Sequence, residues 1–315
     1  GIRQMFHVIE HARMAIGVKT TSTLSTAYLN ALAYAKERVQ GPDLLKAMDK
    51  NSPRVRIIEH PDVRRMMMLQ KSWAEGMRAL YMYASSIQDQ VELAGGHGSP
   101  EAKALDRYND LLLPIVKGFC SDKGYQVLAE SLQSFGGSGY CKDYPIEQYI
   151  RDQKIDTLYE GTTHIQALDF FFRKVARDAG ATLRVLLGHV RDATTEGHAE
   201  LAPQREALGR ALGDVERLFM AMMGKVGDSL YHVGLHGNRI LFAVGKLVVA
   251  WRLLVHAELA AIKAEQAQAS ELDFYKGKVA SARFYIAEVL PEIGADRRII
   301  EASVLDLMDL EEAAF

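Results

Sequence analysis

Apolar residues recur every third or fourth position along almost the whole chain, and nowhere do they alternate with polar ones for long enough to build a useful strand. That pattern confines the 315 residues to an all-α architecture. Proline is scarce, at 8 residues, which suits long uninterrupted helices. Gly1 to Arg38 reads as one long helix or two close ones, followed by a loop from Gln40 to His60. Pro61 suits the first turn of a second helix, which runs to about Leu93 with Val63, Met66, Trp73, Met77, Leu80, Ala84, Ile87 and Val91 on one face. Gly95 to Pro100 is a turn, Glu101 to Ser134 a third helix, and another helix begins near Thr162 and ends near Gly180. From Ala181 onward Ala, Leu, Arg and Glu dominate, so a second helical bundle with no catalytic group is expected at 181–315, after a first domain at 1–180.

The formal net charge of -2 gives no basicity that points to nucleic acid or an acidic membrane surface. The most apolar stretch, Ile240 to Ile262, is broken by Lys246, Arg252, His256 and Glu258, so no membrane span is expected. Its Ile240, Val244, Leu247, Trp251, Leu254 and Leu259 fit a buried amphipathic helix. Cys120 and Cys141 fit no metal or redox motif and read as reduced thiols. His232, His236 and His256 have no partner at metal-ligand spacing, so no metal is expected. Met66, Met67 and Met68 read as core packing, and Glu147 with Arg151 and Asp152 as structural ion pairs.

One segment carries chemistry: QSFGGSGYCKDYPIEQYIRDQKIDTLYEGTTHIQ, from Gln133 to Gln166. Gly136, Gly137 and Gly139 permit positive φ and a close backbone approach to a ligand. A helix precedes them rather than a strand, which rejects a dinucleotide-binding Rossmann loop. Alone, the glycines read as the turn that ends a helix. Glu160 reads either as an acid favoured near a helix start or as a general base on a loop, and Thr162 or Thr163 suits the cap of the helix that follows.

In combination, Q-x-F-G-G-x-G-Y, Y-P-I-E, R-D-x-K-I and Y-E-G-T-x-x-I-Q closely resemble the acyl-CoA dehydrogenase family. GIRQMFHVIEHAR at Gly1 to Arg13 and YAKERVQG at Tyr34 to Gly41 resemble two further helices of that family. The resemblance covers about Gly1 to Lys174. The runs IIEHPDVRRMMMLQKSWAEGMRAL and GKVASARFYIAEVLP are similar to a large bacterial branch with an extra C-terminal helical domain. That branch includes broad-range fatty acyl-CoA dehydrogenases and methylmercaptopropionyl-CoA dehydrogenases.

The resemblance implies FAD-dependent oxidation of acyl-CoA to trans-2-enoyl-CoA, with Glu160 removing the α-proton. It places Arg38, Gln40, Gln133, Gly136, Gly137, Thr162 and His164 against FAD, largely on a neighbouring subunit, and Glu10, Arg13, Tyr159 and Gly161 beside the substrate. It also implies that the thioester oxygen is held by the backbone N–H of Glu160 and a flavin hydroxyl. Val39-Gln40-Gly41-Pro42 departs from the family's x-Q-F-G, and His164 stands where Gln, Asn or Glu is common. The family further implies a homo-oligomer in the form of a dimer, an electron-transferring flavoprotein as acceptor, and the bacterial cytoplasm. The N-terminal helical domain and middle β-domain of the family are expected as a missing or separate chain. An acyl-CoA oxidase and a noncatalytic helical scaffold are the alternatives.

Overall fold

The computed structural model describes residues 1–315, apart from the side chains of Ile2, Arg3, Gln4, Phe6 and His7. Helix α1 (Ile2–Glu37) is continuous, and its fully buried Ala27, Ala31 and Ala35 recur one turn apart. Small side chains at that spacing let α1 lie close against α2 (Pro61–Leu93) and the later helix α4 (Cys120–Ser134). Pro61 occupies the first turn of α2, where its missing N–H costs no intrahelical bond. Trp73 of α2 lies in the core, 5.5 Å from the Phe119 ring and 5.0 Å from that of Tyr285. Met66 and Met67 are buried and Met68 is half-buried.

The expected third helix is divided. α3 (Lys103–Pro114) passes into a π-turn at Ile115–Phe119 before α4 begins. Pro114 lacks the N–H that would bond the carbonyl four residues back, and the widened turn follows directly, with Cys120 N–H donating to the Ile115 carbonyl. The helix expected from Thr162 to Gly180 also changes pitch. α6 (Thr163–Leu168) is followed by a π-turn at Asp169–Val175 and a short 3₁₀ turn at Ala176–Asp178. Between them in sequence, α5 (Ile146–Lys154) packs on α4. The loop expected at Gln40 to His60 contains a small antiparallel ribbon of β1 (Val39–Pro42) and β2 (Arg54–Arg56). Strands this short have too few alternating positions to register as a pattern.

The second half comprises α7 (Ala181–Asp192), α8 (Ala202–Val226), α9 (Tyr231–Ala264), α10 (Ala269–Glu288) and α11 (Pro291–Glu301). α9 packs against α2 and α6 as well as α8 and α10, so one apolar core runs from Leu24 of α1 to Ile300 of α11. Among the described residues α9 alone is long and apolar enough to cross a membrane, but 78% of its most apolar window is buried inside the protein. Leu259, expected on the buried face, is exposed; it lies off the stripe that continues through Ala257, Ala260 and Ala261. Glu147 and Arg151, expected in ion pairs, have none among the described residues, and Asp152 instead accepts from Gln148. They border an open surface cleft, where solvated charges have little need of partners.

A side chain at Gly245 of α9 would meet the Phe119 ring at 2.5 Å, so bare backbone at Gly245 is what seats α9 on the π-turn. Gly188 of α7 has nothing within 4 Å of the same position. Gly245→Val should therefore lose roughly 2–3 kcal/mol by overpacking, whereas Gly188→Ala should gain about 0.5–1 kcal/mol from the stiffer unfolded chain. Urea denaturation of both variants checks the pair, and equal effects would contradict this packing.

Candidate active site

The segment that carries Glu160 is anchored before it turns outward. At its base Asp156 is fully buried, accepting from Lys19 Nζ of α1 at 2.8 Å and from Gln153 Nε2 at 2.9 Å. Gln153 Nε2 also reaches Thr20 Oγ1 at 2.8 Å, tying the segment to α1 a second time. On the far side Thr162 caps α6, its side chain accepting from Ile165 N–H at 3.5 Å, while Thr163 Oγ1 donates to Asp122 at 3.1 Å. The residues between these anchors, Leu158 to Thr162, form an exposed loop in which only Gly161 is half-buried.

Glu160 itself has φ 51°, a left-handed conformation that a side chain with a Cβ disfavours by about 1 kcal/mol or more, and Gly161 follows at φ 91°. Such a backbone persists when its surroundings hold it. Here the Lys117 ammonium donates to the Tyr159 carbonyl at 2.9 Å and to the Gly161 carbonyl at 2.6 Å. Gln166 Nε2 donates to the Glu160 carbonyl between them at 3.1 Å. Three consecutive carbonyls are thus drawn inward by two side chains that are themselves fully buried. Gly118 makes the second approach possible, since a Cβ there would sit 2.8 Å from that of Gln166.

Lys117 was not singled out by the sequence, although a lone lysine in the run LLLPIVKGFC is its one visible signal. It lies in the π-turn and forms no ion pair among the described residues. Burial lowers its pKa from 10.5 to about 8, Arg13 adds to the depression, and the carboxylates of Asp156 and Glu160 oppose it.

The sequence-derived residues fall into two groups. Glu160, Gly161, Tyr159, Thr162 and His164 share the loop and the start of α6, and His164 lies against α9 near Gly237. Arg13 belongs to this end of the molecule, where its guanidinium is nearly buried and donates to Asp169 at 3.1 Å. Glu10 borders a neighbouring cleft with His11, Met14, Gln88 and Asn109. The second group gathers at the other end of α1. Tyr34 packs at a tilt on Phe135 at 4.8 Å and meets Tyr144 edge-on at 5.5 Å, which sets the C-terminal end of α1 beside the 3₁₀ turn Gly136–Tyr140. Arg38, Gln133, Gly136 and Gly137 are all exposed there, and Gln40 binds His60 Nε2 through its carbonyl at 2.7 Å. At ~1.5 Å per residue, the stretch of α1 from Arg13 to Arg38 is roughly 35 Å long, so one chain does not bring the two groups together. No group of three or more His, Cys, Asp or Glu residues suited to a metal occurs among the described residues.

Residues 1–170 match the family model of the acyl-CoA dehydrogenase C-terminal domain, and residues 186–311 match a model described as acetyl-CoA dehydrogenase C-terminal like. This chain belongs to the acyl-CoA dehydrogenase family. It is 49% identical over 324 aligned residues to the broad-specificity linear acyl-CoA dehydrogenase FadE5 of Mycobacterium tuberculosis, covering 100% of this chain and 53% of that protein. It is 34% identical to the 3-methylmercaptopropionyl-CoA dehydrogenase of Ruegeria pomeroyi, covering 94% of this chain and 50% of the relative. The chain therefore spans about half the length of the curated relatives it matches. Its fold is shared with a Bacillus anthracis acyl-CoA dehydrogenase complexed with FAD, at TM-score 0.73 and 19% identity, over 98% of this chain and 52% of that one. In this acyl-CoA dehydrogenase chain, both the glutamate loop and the lysine beneath it fall within the first family match.

The lysine makes the loop sensitive to pH. Its folded-state pKa of about 8 lies below the ordinary 10.5, so between those values the unfolded chain binds more protons than the folded one. Burying the ammonium costs stability below that window, and the cost is relieved as pH rises through it. The unfolding free energy of the wild type, measured against Lys117→Met by urea denaturation, should rise by on the order of 3 kcal/mol across the window. A flat or falling difference would contradict a buried ammonium.

Proposed function

We propose that this chain is the helical half of a flavin-dependent acyl-CoA dehydrogenase, and that Glu160 is its catalytic base. The observation that carries the reading is the loop itself: an exposed carboxylate on a left-handed backbone that buried Lys117 and Gln166 hold in place. Placed beside a fatty acyl-CoA, Glu160 takes the α-proton and yields the trans-2-enoyl thioester. The thioester α-C–H is a weak acid, so a donor at the thioester oxygen is required, and the Glu160 N–H is free among the described residues to serve. Tyr159 and Gly161 flank the thioester, and Glu10 and Arg13 shape the CoA side.

FAD, when bound, accepts the hydride that leaves the β-carbon. The donor set at the distal end of α1 fits its adenosine-diphosphate portion. The Arg38 guanidinium is exposed and has no ion-pair partner among the described residues, Gln133 is exposed, and the backbone at Gly136 and Gly137 has nothing within 4 Å of an added Cβ. A cation, an amide and uncovered backbone suit a diphosphate. The distance between this end and Glu160 supports an assignment in which Arg38, Gln40, Gln133, Gly136 and Gly137 serve a second copy, in a homodimer. Thr162 and His164, beside Glu160, belong to the same reading as flavin contacts from the other side.

The remaining parts of the reading follow from it. An N-terminal half completes the flavin pocket, an electron-transferring flavoprotein accepts the electrons, and the enzyme works in β-oxidation in a bacterial cytoplasm. Residues 181–315 extend the helical body without touching the reacting atoms. Linear acyl chains are favoured over 3-methylmercaptopropionyl-CoA by the higher identity to the FadE5 relative.

In the complete enzyme, Glu160→Gln keeps the side chain's shape and removes the base. Turnover of acyl-CoA should fall roughly 10²–10⁴-fold while FAD stays bound. Near-normal turnover of every straight-chain and thioether acyl-CoA tested would remove Glu160 from this role, and stoichiometric peroxide from the wild type would mark an oxidase instead.

A further inference from the structure

The Lys117 ammonium is fully buried, and the two groups it binds are both carbonyls of the glutamate loop. Lys117 has no ion-pair partner among the described residues, and burying such a cation is costly, so packing alone gives no reason for a lysine at the centre of an apolar run. What its contacts do is fix the direction of peptide planes. The peptides of this loop are trans, and in a trans peptide the carbonyl and the following N–H point in opposite directions. Lys117 draws the Tyr159 carbonyl inward, so the Glu160 N–H of the same peptide is turned outward. Gln166 does the same for the Glu160 carbonyl and the Gly161 N–H, and Lys117 again for the Gly161 carbonyl and the Thr162 N–H. The Glu160 N–H has no partner among the described residues, and its carboxylate side chain is exposed.

Resting on the functional reading above, the geometry points to Lys117 as the positioning residue that presents the Glu160 N–H to the thioester oxygen while the Glu160 carboxylate faces the α-carbon. Lys117 touches neither substrate nor flavin; it acts through the loop. Its positive charge also polarises the Tyr159–Glu160 peptide, which strengthens the N–H as a donor to an oxygen that gains negative charge. The base and its oxyanion donor belong to one residue, so a single clamp sets both. The left-handed φ of 51° at Glu160 is the backbone signature of that clamp.

The test uses the complete, flavin-loaded enzyme. Lys117→Met keeps the length of the side chain and removes the ammonium. With an oriented donor lost, kcat should fall roughly 30–300-fold, while KM and flavin content change less than about threefold. A bound acyl-CoA labelled with ¹³C at the thioester carbonyl should show a lowered carbonyl stretch in the wild type that returns toward its solution frequency in Lys117→Met. A purely structural lysine would not move that band in a folded variant. Gln166→Leu releases the middle carbonyl and leaves Lys117 in place, so it should show the same band shift to a smaller extent; it also decides the matter if Lys117→Met does not fold. An active wild type beside variants with unchanged kcat and an unchanged carbonyl band overturns the role of Lys117 alone. A wild type that oxidises no acyl-CoA overturns the functional reading, and this inference with it.

Discussion

One buried ammonium between two carbonyls shapes the loop that carries Glu160. Lys117 reaches the loop because Pro114 opens a π-turn beneath it, and the π-turn holds its place because α9 seats Gly245 against Phe119. α6 comes close enough for Gln166 to share the work because Gly118 leaves room for it. The loop therefore draws on α1, the π-turn, α6 and, through the π-turn, α9. This accounts physically for a second half that packs into the same apolar core while carrying no proposed catalytic group.

The electrostatics of the loop favour position over stability. Burial pushes the Lys117 pKa down to about 8, while Asp156 and Glu160 pull it back. Arg13, nearby, is itself matched by Asp169 at 3.1 Å, so the inner wall holds two cations with unequal partners. An apolar residue at position 117 would relieve the desolvation cost, but it would leave the Tyr159 and Gly161 carbonyls without their donor. Strain at Glu160 and a buried charge at Lys117 are two sides of one arrangement.

Much of this was legible in the sequence because it is local. Helical periodicity located α1, α2 and α9, and Pro61 marked the start of α2. The motif order from Gln133 to Gln166 pointed to the family, which the family match then bore out, and singled out Glu160 as the candidate base. What the sequence did not disclose is long-range or too short to form a pattern. Lys117 meets the loop across 42 and 44 positions, and Arg13 meets Asp169 across 156. Periodicity assigns a lysine to a helix but is blind to what its ammonium binds. The π-turns shift the phase of a helix by one residue, which a search at period 3.6 does not resolve. Leu259 shows the converse error: an apolar residue near a buried stripe, turned to solvent because it falls off the phase of its neighbours.

The central claim is that Glu160 acts as a base on the α-carbon, and proton transfer can be separated from oxidation. An acyl-CoA whose β-carbon is quaternary, such as 3,3-dimethylbutyryl-CoA, retains α-protons and has no β-hydrogen to lose. Incubated with the complete enzyme in D₂O and followed by NMR, it should exchange its α-protons at a rate that depends on enzyme concentration, and Glu160→Gln should reduce that rate roughly 10²-fold or more. Bound analogue with no exchange, or exchange that is equal in the wild type and Glu160→Gln, would contradict the account.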